Sequence, residues 1–391
     1  MVISLRPTLT PLGLVLLATA LSGMARGADA VRASWSPQEA ATYLDGRADW
    51  WLRWSGAARG QGTVCLSCHT SMPFALARPA LGERLGEKTA GAVEQKLLGN
   101  VKRRVENWEK IVANSATEKD PFRSFYPGGK KPSSLGTESV LNALVLVNSD
   151  VRLKTPTLSP PTRKALGHLW EQQQQSGAWL WLDFGLNPWE TDGTYYGASL
   201  AAVAAGTAGS DYLDQAEIRA KVAALKKYLA TQFSNQSLHH RLLSLWASSR
   251  LPGILTEATR NKLIEELRSA QEADGGWSLP KLGKQASGRA AWPSHGVYPA
   301  GAVSDGYATG LVVLALKRAG IAADNPPLRK GIAWLVAHQK NGTWPINYLN
   351  QSRDPESDIG KFMRDAATAF AVLALTEPMA PGRDNGNGQK R

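Results

Sequence analysis

Cys65 and Cys68 are the only cysteines of the chain, and a histidine follows the second directly, in Cys65-Leu66-Ser67-Cys68-His69. Two thiols three positions apart with an adjoining imidazole form C-x-x-C-H, the pattern of covalent c-type haem attachment. Each position has a chemical reason. The thiols add across the two vinyl groups of the porphyrin, the two-residue gap spans their separation, and the adjacent imidazole reaches the iron from one face. One covalent haem c is therefore expected on Cys65 and Cys68, with His69 as the proximal ligand. In an oxidising compartment the same pair has a second reading, an ordinary disulfide. A thioredoxin-like role has little support, because no βαβ pattern surrounds the pair.

The opposite face of the iron is less determined. A small soluble cytochrome c supplies a methionine several tens of residues downstream, whereas here Met72 is followed next by Met363. Met72 lies too close to His69 to cross to the other face. His168, His239, His240 and His338 fall on expected helices, where packing or solvation is the ordinary role. His295, in the Trp292-Pro293-Ser294-His295 loop, is the candidate distal ligand, and an open or water-filled sixth position is equally compatible.

The N-terminal segment reads as an export signal. Arg6 lies in a short leading region, residues 12–21 are apolar, and Ala28-Asp29-Ala30 offers an A-x-A cleavage site, with Ala25-Arg26-Gly27 as a weaker one. The apolar run is short for a bilayer span, so no transmembrane segment is expected after cleavage; an uncleaved anchor is the alternative. Export to the periplasm or beyond agrees with the haem pattern, since bacteria attach haem c outside the cytoplasm. Without residues 1–30 the chain keeps 43 of its 45 basic and 32 of its 33 acidic residues, a net charge of +11 against +12 for the whole. The basic residues are dispersed, Lys102-Arg103-Arg104 and Lys130-Lys131 being the densest groups, and no aromatic-basic module accompanies them. Nucleic acid is not an expected partner. A solvated basic surface is the first reading of this charge, and an anionic membrane face or an acidic redox partner the second.

The elements that must position the motif are helical almost throughout. Ser36-Pro37-Gln38-Glu39 has the form of a capping box opening a helix that reaches to about Trp54. Amphipathic stretches follow at about 89–114, 160–175, 213–232, 256–272 and 326–339. Between them lie small, apolar, nearly uncharged segments at about 137–148, 192–206, 237–250, 304–319 and 364–376, of the kind that belongs in a core. The uncharged segments repeat one another. Thr309-Gly310-Leu311-Val312-Val313-Leu314-Ala315-Leu316 aligns with Thr368-Ala369-Phe370-Ala371-Val372-Leu373-Ala374-Leu375. Asp192, Asp305 and Asp365 precede three of these segments and are expected to cap them. Repetition of helix pairs predicts an all-α fold, an (α/α)6 toroid of alternating inner and outer helices.

The turns that end the outer helices repeat too. Gln271-Glu272-Ala273-Asp274-Gly275-Gly276-Trp277 recurs as Gln339-Lys340-Asn341-Gly342-Thr343-Trp344 and as Gln174-Gln175-Ser176-Gly177-Ala178-Trp179. Glycine permits the left-handed turn that ends a helix, and the tryptophan packs into the next repeat. These segments resemble the QW motifs of the squalene–hopene cyclase and terpenoid cyclase superfamily, whose α/α toroid is shared by protein prenyltransferase β subunits. The resemblance spans about residues 130–376.

What the resemblance implies about chemistry does not carry over. The D-x-D-D acid by which class II cyclases protonate an alkene is absent, Glu190-Thr191-Asp192 and Ser304-Asp305 being the nearest acidic groups. The cysteine ligand of a prenyltransferase zinc site has no counterpart beyond the haem pair. The aromatics Trp179, Trp181, Phe184 and those of 189–196 could line a cavity as in the cyclases, but packing between helices is their favoured role; the resemblance still implies an apolar, elongated central cavity for an isoprenoid, quinone or other lipid-like molecule.

The expected organisation is a signal peptide over 1–30, a helical region with the haem motif over 31–130, a cyclase-like toroid region over 131–377 and a polar tail over 378–391. Counting helix pairs backward makes the 37–54 helix a sixth outer member and 71–81 its inner partner. C-x-x-C-H then sits in the loop that opens an inner helix. The function expected is electron transfer or redox chemistry by an exported haem protein with a redox partner protein. The alternative is a terpenoid cyclase-like enzyme or isoprenoid-binding protein whose cysteine pair is structural.

Overall fold

A computed structural model describes residues 35–113, 119–155, 157–283, 304–346 and 348–379. The expected cleavage site, the 378–391 tail beyond Met379 and the candidate ligand His295 lie outside the described residues. Fifteen α-helices occur among them: α1 Pro37–Arg53, α2 Ser71–Arg84, α3 Ala92–Glu106, α4 Trp108–Ala113, α5 Lys131–Arg152, α6 Pro160–Glu171, α7 Gly193–Thr207, α8 Ser210–Leu213, α9 Ala216–Gln232, α10 Leu238–Arg250, α11 Glu257–Ser269, α12 Leu279–Leu282, α13 Gly306–Arg318, α14 Pro326–Ala337 and α15 Phe362–Thr376. None of the described helices is long and apolar enough to cross a membrane.

Burial separates two classes of helix. In α13 every residue from Gly306 to Lys317 is buried, and in α7 every residue from Gly193 to Ala205 except Thr194. In α9, by contrast, only Ile218, Val222, Leu225 and Leu229 are buried, one stripe at helical spacing. The fully buried helices pack in a closed circuit, α2 on α5, α5 on α7, α7 on α10, α10 on α13, α13 on α15 and α15 back on α2. The outer layer follows in order, with α1, α3, α6, α9, α11 and α14 each against its inner neighbour. The protein is an (α/α)6 toroid, and the Cys65–His69 loop lies between outer helix α1 and inner helix α2.

Small residues let the inner helices approach closely. A side chain at Gly310 of α13 would stand 2.6 Å from the Phe370 carbonyl carbon and the Ala371 amide nitrogen of α15. The repeat Thr309–Leu316 and Thr368–Leu375 is thus two segments packed against each other, backbone to backbone.

The repeated turns join each outer helix to the next one. Trp179, Trp277 and Trp344 are fully buried, and their indole N–H groups donate to the carbonyls of Leu169, Leu267 and Leu335, each at 2.7 Å. These carbonyls belong to the last turns of α6, α11 and α14, where intrahelical partners are lacking. The glutamine of each turn reaches onward. Gln271 donates to Pro327 at the start of α14, and Gln173 to Lys221 in α9. Gln173, not Gln174, is therefore the residue equivalent to Gln271, and the six-residue interval to the tryptophan is the same in both. Gln339 closes the ring, since its Nε2 donates to the Ser36 carbonyl and its Oε1 accepts from the Ser36 N–H at 2.5 Å.

That last bond corrects the expected capping box. Ser36 Oγ does accept from Glu39 N–H, but the Ser36 N–H is taken by Gln339 and not by Glu39. The three aspartates also differ from one another. Asp305 caps α13, accepting from Ala308 N–H at 2.8 Å and from Leu279 N–H at 2.6 Å. Asp192 stands at the cap of α7 with φ of 54° and makes no side-chain cap bond, while Asp365 lies inside the first turn of α15 and binds side chains instead.

Gly342 shows how tight the ring closure is. It has φ of +76°, and a Cβ there would meet the Glu39 carbonyl oxygen of α1 at 2.4 Å. Gly320 has nearly the same φ, +75°, with nothing within 4 Å. In urea unfolding, Gly342→Ala is expected to lose about 2–4 kcal/mol and Gly320→Ala about 1 kcal/mol. Equal losses would mean that the approach of the turn to α1 contributes nothing beyond backbone conformation.

Candidate functional site: the Cys65–His69 loop and its seam

The cysteine loop is held by its own backbone bonds and by side chains from both outer neighbours. Ala58 and Val64 form an isolated bridge, and Cys65 N–H donates to the Ala57 carbonyl at 2.9 Å. The Trp51 indole of α1 donates to the Cys65 carbonyl at 2.8 Å. From α3, Asn100 accepts from Val64 N–H and donates to its carbonyl, a two-way bond that holds the residue before the motif. Beneath it Arg104, fully buried, donates to Thr63 Oγ1 at 2.9 Å and pairs with the equally buried Glu138 of α5. A buried ion pair of this kind is costly to break from one side, which ties the loop to the inner ring.

Ser67 counts only as a spacer in the motif, yet it caps α2. Its Oγ accepts from the N–H groups of Thr70 and Ser71, each at 3.1 Å, and its own N–H donates to Ser71 Oγ. Helix start and motif are one local structure, so the direction of α2 sets the direction of Cys68 and His69.

The two thiols are unbridged. Burial raises both thiol pKa values; Glu190 and Cys65 add to the rise at Cys68, while Arg59 and Arg104 oppose it at Cys65. Neutral thiols are the reverse of the activated thiolate of a thiol–disulfide exchange site. A charge on Cys68 would raise the phenol pKa values of Tyr196 in α7 and Tyr307 in α13, so both lie within electrostatic range of it.

His69 is half-buried among aromatic rings. Phe362 stacks on it at 3.9 Å between centroids, Trp51 meets it edge-on at 5.2 Å and Trp189 lies at 5.7 Å. Burial lowers the imidazole pKa well below its ordinary value, and the nearby Arg353 and Arg47 charges lower it further. A neutral ring carries one proton, and its neighbours decide where. His69 Nδ1 lies 2.8 Å from Thr70 Oγ1, and the Thr70 hydroxyl donates its single proton to Asp365 Oδ2 at 2.7 Å. Thr70 can then only accept from His69, so Nδ1 carries the proton and Nε2 keeps its lone pair. No hydrogen bond reaches Nε2 among the described residues. A covalent haem would take its iron ligand from His69 Nε2 and its two vinyl attachments from Cys65 and Cys68.

Asp365 is the hub of this arrangement. Its Oδ1 accepts from Tyr43 and from Arg47 Nε, both at 2.8 Å, and Arg47 also holds Asp358 at 2.9 Å. Burial pushes the carboxyl pKa up, and Arg47, Thr70 and Tyr43 oppose that rise. The sequence marks Cys65, Cys68 and His69, and Trp189 as part of an aromatic cluster, but not Thr70, Asp365 as a side-chain acceptor, Arg47 or Phe362. Thr70 adjoins the motif and was legible as a neighbour. The others come from positions 22 or more residues before the motif's end or more than a hundred after it, with no local signal. Met72, rejected as a ligand from its spacing, is fully buried in α2.

The interior beyond Cys68 is aromatic. Trp189 meets Tyr307 edge-on, Tyr307 packs on Phe370, and His239 Nε2 lies 2.9 Å from the Tyr307 hydroxyl. His240 Nε2 accompanies the Pro188 carbonyl at 3.1 Å. Burial lowers the pKa of both histidines, that of His240 to about 4, so they are neutral packed rings as their helical positions led one to expect.

No family model matches the sequence, and no curated protein matches it. Among solved structures it is similar to a protein from Actinoplanes, with 14% identity and a TM-score of 0.46 over 86% of this chain and 98% of that one. A second, described as a possible member of the GH105 family from Salmonella enterica subsp. enterica serovar Paratyphi A str. ATCC 9150, has 12% identity and a TM-score of 0.42 over 93% of this chain and 98% of that one.

Glu190 gives the site a pH dependence. Burial raises its pKa from 4.5 to about 7, against the bonds it accepts from Leu186 and Phe184 N–H. Folding favours its protonated form, so its contribution to stability is complete below about pH 4.5 and is lost as pH rises through about 7. Replacing Glu190 by Gln is expected to remove on the order of 2 kcal/mol of that pH-dependent loss, the figure being discounted for partial exposure. Urea midpoints measured across this range check it, and an unchanged slope would assign the loss to another group.

Proposed function

We propose that this chain is an exported c-type haem protein, with one haem joined to Cys65 and Cys68 and ligated by His69 at the end of a helical ring. The observation that carries the reading is the directed proton on His69. In a loop already spelling C-x-x-C-H, the imidazole has Nδ1 committed to Thr70 and Nε2 left for a metal. Bound haem supplies a one-electron couple at this position. The chain's own part is then to hold and orient it. Trp51, Phe362 and Trp189 fix the plane of the His69 ring and keep water from its faces. Ser67 and Asn100 fix the two ends of the motif.

The role follows as electron transfer with a redox partner protein, or redox chemistry on an apolar isoprenoid- or quinone-like molecule. The net positive charge favours an acidic partner. Periplasmic localisation belongs to the same proposal, as do His295 as distal ligand and the cleavage at residue 30. The Gln–Trp turns support kinship with the terpenoid cyclase toroids, and under that alternative the cysteines would be structural and the ligand an isoprenoid.

Expression in the periplasm with the haem-attachment machinery, followed by a haem stain of a denaturing gel, separates the two. A stained band is expected for the wild type and a colourless one for Cys65→Ala/Cys68→Ala. A colourless wild-type band would end the haem reading.

A further inference from the structure

Asp365 and Thr70 have no part in attaching a haem, yet they determine the state of the residue that would ligate it. Asp365 is 1% exposed and Thr70 2%, so the bond between them does not compete with bulk water. The chain is directional. Arg47 and Tyr43 donate to Oδ1 of Asp365, leaving Oδ2 for the Thr70 hydroxyl, and the orientation of that hydroxyl leaves only its lone pairs for His69.

We infer that Asp365, acting through Thr70, is a positioning residue that holds the His69 proton on Nδ1 and strengthens Nε2 as a donor to iron. This rests on the haem reading for its redox consequence, but the placement of the proton is a property of the protein alone. A carboxylate drawing on the Nδ1 proton, here at one hydroxyl's remove, raises the basicity of the ligating nitrogen and favours the oxidised metal. The three links come from different elements. His69 and Thr70 stand at the entry to α2, Asp365 is in α15, and Arg47, which holds the carboxylate, is in α1. The device therefore exists only where the ring closes.

Three variants of the full chain test it. Thr70→Val keeps the side-chain shape and leaves the Arg47–Asp365 pair intact, Thr70→Ser keeps the hydroxyl, and Asp365→Asn keeps the volume but removes the charge. In haem-loaded protein, Thr70→Val and Asp365→Asn are expected to shift the reduced-to-oxidised ratio at fixed potential by about tenfold toward reduced, which is about 59 mV for one electron. Thr70→Ser should stay with the wild type. In the haem-free chain, 15N shifts of His69 should report a protonated Nδ1 in the wild type and Thr70→Ser, and protonation moving to Nε2 in Thr70→Val.

A potential and a tautomer both unmoved in Thr70→Val overturn the inference. If Asp365→Asn fails to fold, Thr70→Val decides alone, since it leaves the buried ion pair in place. If no haem attaches to the wild type, the haem reading fails, while the 15N arm still decides the proton's place.

Discussion

A carboxylate with 1% exposure, Asp365, sits where the first and last helix pairs of the ring meet, and its need for partners organises that seam. Burying a charge without partners costs several kcal/mol, so the site must supply donors from whatever elements are near. Here they come from α1 through Tyr43 and Arg47 and from the entry to α2 through Thr70. Arg47 carries the connection on to Asp358, ahead of α15. One side chain thus joins three helices and the C-x-x-C-H loop. The circuit of inner helices would bring α15 to α2 on apolar packing alone, but packing has no direction, and the bonds to Asp365 give it one.

The rest of the ring is held by a unit used three times. In each, a buried tryptophan satisfies the open end of its own outer helix, and a glutamine donates to the backbone of the next one. Because the unit connects neighbours only, it would serve an open stack as well as a ring. At Gln339 the neighbour is Ser36, the first residues of the described chain, and the stack becomes closed. The cost of this closeness is visible at Gly342, whose turn lies against the backbone of α1.

Within that frame the loop's electrostatics follow from burial. Removing a group from water disfavours its charged form, which raises thiols and lowers imidazoles. Both shifts leave Cys65, Cys68 and His69 neutral, and a neutral imidazole keeps a lone pair on one nitrogen. Two of the charges nearby are paired, Arg104 with Glu138 and Arg47 with Asp365, and the second pair reaches the motif through Thr70.

The sequence by itself determined the helical class, the alternation of inner and outer helices and the motif, because periodicity, charge and spacing are local properties. Glycine and tryptophan marked the turns for the same reason. Even there the local view slipped by one at Gln173, since the interval to Trp179, and not the first glutamine next to the turn, identifies the residue that reaches α9. Only the tertiary structure decided the state of His69. Thr70 was adjacent in the sequence, but the direction of its hydroxyl depends on Asp365, 295 residues away, and that in turn on Arg47. A hydrogen bond takes its direction from both partners, and no window of sequence contains both ends of a ring.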